Sequence, residues 1–111
     1  MSEDEHYFTA DPSVPFRREP VEVSVWGVGL RLQSGSGVFA RGRLDSGTAV
    51  LFRETEPPET GRILDLGCGY GVIGLAAALA SPAVTVTAVD VNERAVLLAR
   101  ENAADLGLAD R

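Results

Sequence analysis

The segment Asp65-Leu66-Gly67-Cys68-Gly69-Tyr70-Gly71 constrains the fold of this chain more than any other part of it. Glycines at three alternate positions weaken helices and strands alike, because glycine loses the most backbone freedom on folding. They suit a tight turn with positive φ, over which a ligand can approach the backbone closely. The flanks say what the turn connects. Ile63-Leu64-Asp65-Leu66 is a short apolar run, and Tyr70 to Ala80 is rich in Ala and Leu and reads as a helix. Ser81-Pro82 stops that helix. Val84 to Asp90 is a β-branched strand ending in an acid. Asn92 then caps a second helix from Glu93 to about Leu106, with Gly107 as its C-terminal signal. Strand, glycine turn, helix, strand, helix is a parallel βαβα unit over residues 61–111, and the fold class is α/β.

The upstream half prepares this unit. Residues 1–20 read as irregular, with loop signals at Asp11-Pro12 and Val14-Pro15 and a close at Pro20. Residues 21–60 hold the remaining elements. Val21-Glu22-Val23-Ser24-Val25 alternates strictly, Trp26-Gly27-Val28-Gly29 permits a turn, and Leu30-Arg31-Leu32 alternates again. These features predict a β-hairpin leading into the main domain. Ser34-Gly35-Ser36-Gly37 reads as an ordered loop beside a site. Leu44 to Phe52 reads as a helix capped by Asp45 or Ser46. Glu54 to Gly61, with Pro57-Pro58, reads as a surface loop.

Composition excludes several functions. The formal net charge is -6, and all ten basic residues are arginine. Neutralising nucleic-acid phosphates needs basic surface, so this segment is not a stand-alone nucleic-acid binder. Arg41 and Arg43, in a Gly-rich stretch, are candidates for a phosphate contact beside the reading of simple solvated surface. Cys68 is the sole cysteine and His6 the sole histidine, so neither an internal disulfide nor a metal ligand set is expected. No apolar stretch is long enough to span a bilayer, and the acidic opening Met1-Ser2-Glu3-Asp4-Glu5 is not a secretory signal. A cytoplasmic location is the default expectation.

The glycine turn and Asp90 together specify a nucleoside site. It lies at the carboxyl end of the first strand, and Asp90 is placed to accept from both ribose hydroxyls. Gly69-Tyr70-Gly71-Val72-Ile73-Gly74 also fits the dinucleotide pattern G-x-G-x-x-G, with Asp90 at about the ~20-residue distance that pattern calls for. Two features favour S-adenosylmethionine over NAD. Asp65 and Gly67 extend the pattern to D-x-G-x-G-x-G, and Asp65 stands where a cationic amino group is held. S-adenosylmethionine carries an ammonium and a sulfonium where NAD carries a pyrophosphate. The unit also follows about half of the sequence, whereas a dinucleotide fold often opens with its fingerprint strand. An NAD-binding oxidoreductase fragment and a non-catalytic cofactor-binding domain remain open as alternatives.

These residues resemble a known family. The chain is similar to the small-domain class I, Rossmann-like methyltransferases typified by the bacterial ribosomal RNA guanine-N2 methyltransferases. The similarity runs through His6-Tyr7-Phe8, Gly37-Val38-Phe39 and Asp45-Ser46-Gly47-Thr48. It is densest over Leu64 to Gly74 and over Val89-Asp90-Val91-Asn92. The resemblance implies S-adenosyl-L-methionine as cofactor and an RNA guanine amine as acceptor. It implies that Asp65, Gly67 and Gly69 line the methionine moiety, that Cys68 and Gly71 also belong to the cofactor-binding set, and that Asp90 holds the ribose. Val91 and Asn92 would border the adenine, and Phe39 and Thr48 would close over the methionine end. On the residues alone, Asn92 is first a helix cap, Asp65 a partner of a helix N-terminus, and Cys68 a small space-filling residue.

The family's Asn-Pro-Pro-aromatic motif, which orients the acceptor amine after the fourth core strand, does not occur here. Orientation of that kind supplies much of the rate of an in-line displacement. Asparagine occurs only at Asn92 and Asn102, neither before a proline. No catalytic residue is therefore assigned. Only two core strands are expected of a seven-stranded sheet, which suggests the N-terminal part of the fold, binding cofactor weakly and inactive by itself.

Overall fold

In a computed structural model, which describes residues 17–36 and 45–111, alternation at the start of the chain gives a regular antiparallel hairpin. Strand β1 spans Arg18–Val25 and β2 spans Val28–Gly35. Val21 pairs with Leu32 and Val23 with Leu30, so four apolar side chains share one buried face. The turn is only Trp26-Gly27; Val28 and Gly29, expected in it, belong to β2. Both turn residues have positive φ, 50° and 73°, as a two-residue hairpin of right-handed twist requires. A tryptophan there is strained by about 1–2 kcal/mol. Its ring compensates. The indole Nε1 donates to the Thr55 carbonyl at 3.0 Å, and the ring stands edge-on to Phe52 at 4.7 Å.

Strand β1 begins three residues earlier than the sequence suggests, and Pro20 lies inside it opposite Gln33. Alternate antiparallel pairs make no ladder bonds, and both backbone groups of Gln33 point out of the hairpin to Asn102. The N–H that proline lacks is therefore not needed at this position. Ser34 and Gly35 belong to β2 rather than to a loop, and Ser36 closes the open end by exchanging bonds with Arg17.

Helix α1 covers Ser46–Glu54, with Asp45 as N-cap accepting from the N–H groups of Gly47 and Thr48. Strand β3 covers Thr60–Leu66 and so takes in the end of the expected surface loop, Gly61 entering it at φ 107°. Helix α2 covers Val72–Ala80, β4 covers Ala83–Val89 and α3 covers Glu93–Asp105. β3 and β4 pair in parallel, with Asp65 beside Ala88 and Leu66 beside Val89. Arg111 ties down the end of this unit. Its guanidinium donates to the carbonyls of Ala78 and Ser81 at the end of α2, where helix carbonyls attract a cation, and to that of Val84 in β4.

The hairpin does not merely lead into the βαβα unit. It packs on the far side of α2 and α3 from the parallel strands, making three layers. The core joins Val21, Val23, Leu30 and Leu32 of the hairpin to Phe52, Tyr70, Val72, Ala76, Ala95 and Leu98. Arg18 fastens the layers outside with an ion pair to Glu101 at 2.8 Å, and Arg94 donates to the Ser36 carbonyl at 3.1 Å. The other face of the parallel pair is left uncovered by the elements among the described residues. Leu64 is 63% exposed, Leu66 78% and Val89 42%. No helix among the described residues is long and apolar enough to cross a membrane.

Candidate functional site

The site begins where β3 ends. The chain leaves Leu66 in three positive-φ steps, at Gly67 (71°), Gly69 (57°) and Gly71 (98°). Side chains at these angles would be strained, which explains the alternate glycines. The loop is pinned to the next strand. The Val89 carbonyl accepts from Gly67 N–H at 2.7 Å and from Cys68 N–H at 3.0 Å, and Gly71 N–H closes a turn onto the Cys68 carbonyl. Gly71 is also crowded, since a Cβ there would lie 3.3 Å from that of Ala99 on α3.

Asp90 stands just past β4, beside this loop. One carboxylate oxygen accepts from Gly69 N–H at 3.0 Å, and the other accepts from Asn92 N–H at 2.8 Å. A carboxylate has about four acceptor positions, so each oxygen keeps one more. Two outward acceptors on one rigid group suit a pair of vicinal hydroxyls.

Asp65 is buried under the loop. Its Oδ2 accepts from Gly74 N–H at 3.2 Å. Helix α2 has glycine as its N-cap and no side-chain cap of its own, so Asp65 supplies that function from β3. Burial raises the Asp65 pKa from 3.8; the Gly74 bond opposes this and the nearby Asp90 adds to it. A cation brought beside Asp65 would favour the carboxylate and oppose this rise.

The other expected site residues fall into two groups. Gly67, Cys68, Gly69, Gly71, Asp65 and Asp90 come together at one end of the parallel pair, with Val91 beside them and 64% exposed. Asn92 is present but occupied. It is 1% exposed, and its Oδ1 accepts from the N–H groups of Arg94 and Ala95 as the cap of α3. Its side chain therefore belongs to the helix, and its backbone to Asp90. Cys68 is buried, and burial followed by the charges of Asp65 and Asp90 pushes its thiol up to about 12. It fills space and is not a nucleophile. Thr48 lies half-buried in the first turn of α1. Phe39, with Gly37, Val38, Arg41, Arg43 and the His6-Tyr7-Phe8 opening, falls outside the described residues.

One residue of the site was not legible from the sequence pattern. Asn102, on α3, is 1% exposed and donates through Nδ2 to the Tyr70 carbonyl in the loop at 2.9 Å. The available signal was a polar residue on the apolar stripe Ala95, Leu98, Asn102.

A family model described as the methyltransferase small domain matches residues 29–110. The Bacillus subtilis protein YbxB is 40% identical over 107 residues, which are 96% of this chain and 53% of that one. Ribosomal RNA small subunit methyltransferase C of Vibrio vulnificus is 38% identical over 80% of this chain and 26% of its own length. Its Klebsiella pneumoniae counterpart is 42% identical over 72% of this chain and 23% of its own length. Among solved structures, the T. thermophilus 16S rRNA N2 methyltransferase, in complex with AdoMet and guanosine, superposes with a TM-score of 0.68 at 23% identity. It covers 87% of this chain and 27% of that one. The chain thus spans about half the length of one curated relative and about a quarter of the others.

Proposed function

The chain belongs to the methyltransferase small-domain family, and from that premise we propose that it forms the S-adenosylmethionine-binding part of an RNA methyltransferase whose acceptor is a guanine exocyclic amine. The observation that carries the cofactor is the carboxylate at the start of α2. A dinucleotide pyrophosphate sits on free N–H groups at that helix terminus. Here Gly74 N–H is given to Asp65, and Asp90 adds a second negative charge beside the loop. Such a terminus repels a pyrophosphate and favours a cationic amino acid.

The residues fit the cofactor in parts. Asp65 lies where it can attract the ammonium, and Gly67, Gly69 and Gly71 leave the backbone open to the methionine chain. Asp90 turns its two remaining acceptor positions to the ribose, and exposed Val91 offers an apolar edge to the adenine. S-adenosylmethionine supplies an electrophilic methyl group on a sulfonium. This chain's own contribution is to hold and orient that group. The acceptor is proposed from the relatives' names and from the guanosine in the superposed structure. With ten arginines against sixteen acids, the RNA contact is assigned to other surfaces.

Isothermal titration of the folded chain with S-adenosylmethionine, with NAD as comparator, tests the reading. Saturable heat with S-adenosylmethionine alone is expected. Asp90→Ala, which removes both ribose acceptors, should weaken binding by at least about a hundredfold, each charged hydrogen bond being worth ~1.5–3 kcal/mol. Binding of NAD alone would overturn the assignment.

A further inference from the structure

The cofactor loop is held from below by one side chain that touches three elements. Asn102 projects from α3 between the hairpin and the glycine loop. Its Oδ1 accepts from Gln33 N–H at 2.8 Å, and its Nδ2 donates to the Gln33 carbonyl at 3.0 Å and to the Tyr70 carbonyl at 2.9 Å. The primary amide thus acts as a one-residue strand beside β2 and spends its remaining proton on the loop.

We propose that Asn102 is a positioning residue of the cofactor site, which sets the Tyr70–Gly71 peptide and makes the loop geometry depend on the docked hairpin. The proposal rests on the cofactor reading above. The Tyr70 carbonyl is turned into the protein, and the same peptide carries Gly71 N–H, which closes the turn onto Cys68. Remove the Asn102 donor and the buried Tyr70 carbonyl loses this hydrogen bond. Rotation of the released peptide moves the Gly69–Gly71 turn that meets the ligand. Within the loop the Cys68 thiol donates to the Gly69 carbonyl at 3.3 Å, whereas Asn102 reaches the loop from another element. The hairpin enters the same linkage, because Asn102 keeps its rotamer only while Gln33 supplies both its N–H and its C=O. In this way a strand remote in sequence, sixty-nine residues from Asn102, bears on the nucleoside site.

The test compares wild type with Asn102→Asp, which keeps the acceptor for Gln33 and loses both donations. Leu98→Ala serves as a comparator, since it weakens the same helix face without touching the amide. S-adenosylmethionine affinity and thermal midpoint are measured for all three, under conditions where each is folded. Asn102→Asp should lose at least about tenfold in affinity, the scale of one buried hydrogen bond, while Leu98→Ala at equal or greater loss of midpoint changes affinity less than about threefold. In the ¹H–¹⁵N spectrum the Gly71 amide should move in Asn102→Asp and stay in Leu98→Ala. An affinity within about twofold of wild type, or equal losses in both variants, overturns the proposal. A folded wild type that binds no S-adenosylmethionine refutes the cofactor reading separately, and the Gly71 amide then still decides whether Asn102 sets the loop. Should Asn102→Asp not fold, the wild-type Asn102 side-chain amide protons decide. They should shift when the cofactor saturates the site, and unmoved signals overturn the proposal.

Discussion

Replacing Gly74 by alanine sets two effects of opposite sign against each other. Gly74 is in the first turn of α2, at an ordinary helical position, where alanine stabilises a helix by about 1 kcal/mol relative to glycine. The structure opposes that gain. A Cβ at Gly74 would lie 2.7 Å from Cγ1 of Val86, against the ~3.5–4.0 Å of a relaxed carbon–carbon contact. Val86 cannot easily yield, because a β-branched side chain has restricted χ1 and β4 is paired to β3 along its length. Overpacking of this kind costs about 1–3 kcal/mol. The net expectation is a destabilisation of up to about 2 kcal/mol, a fall in the melting midpoint of up to roughly 8–16 °C. The new methyl would also stand 3.3 Å from Oδ2 of Asp65, so cofactor affinity should fall with stability. Thermal unfolding followed by circular dichroism would be measured for wild type, Gly74→Ala, Val86→Ala and the double variant. Trimming Val86 opens the space, and the double variant should be more stable than the two single losses add up to, by about 1 kcal/mol or more. A midpoint that rises in Gly74→Ala, or strict additivity in the cycle, would refute the reasoning.

Two further outcomes follow from ionisation. Because burial raises the Asp65 pKa above 3.8, its protonated form is favoured by the fold; the stability it gives is full below the unfolded pKa and is lost as pH rises through the folded one. A cationic ligand needs the carboxylate, so S-adenosylmethionine affinity should increase over the same rise in pH and release a proton; titration in two buffers of different ionisation heat measures this, and Asp65→Asn should abolish it. The Cys68 thiol, pushed up from 9.0 to about 12, should react with iodoacetamide at pH 8 roughly a thousandfold more slowly in the folded chain than in urea. Equal rates in the two states would show that the thiol is not buried as described.

What the sequence displayed best was local. Asn92 and Asp45 sit at helix starts and Gly107 follows a helix end with φ 74°, each where short-range backbone chemistry puts such residues. The glycine loop was equally legible, since three positive-φ positions leave a regular mark. Strand starts were less so. Pro20 and Gly61 look like punctuation, yet Pro20 faces out of its ladder and Gly61 enters a strand at its exposed end. What could not be read was the third layer. Nothing in Val21 to Leu32 says which surface the hairpin's apolar face will cover, because alternation fixes that a face is buried and not against what. Asn102 was hidden for the same reason. A lone amide in an alanine-rich helix looks like solvated surface until the hairpin is in place above it. At the site itself, Asp65 and Asp90 stood out as acids and Asp65 also as a partner of a helix N-terminus, but the Gly69 and Asn92 N–H groups that already occupy part of the Asp90 carboxylate did not.

Helix α2 has no exposed residue anywhere along its length. It is covered by β3 and β4 on one side and by the hairpin on the other, and neither cover alone would suffice. A helix built of Val, Ile, Leu, Ala and one Gly has no side that water favours, so it cannot persist half-dressed. Folding of the hairpin and of the parallel pair is therefore a single cooperative event. The indole of Trp26, at the far tip of the hairpin, becomes a reporter of that event, and its fluorescence should disappear from the native state together with the helical signal and the nucleoside site.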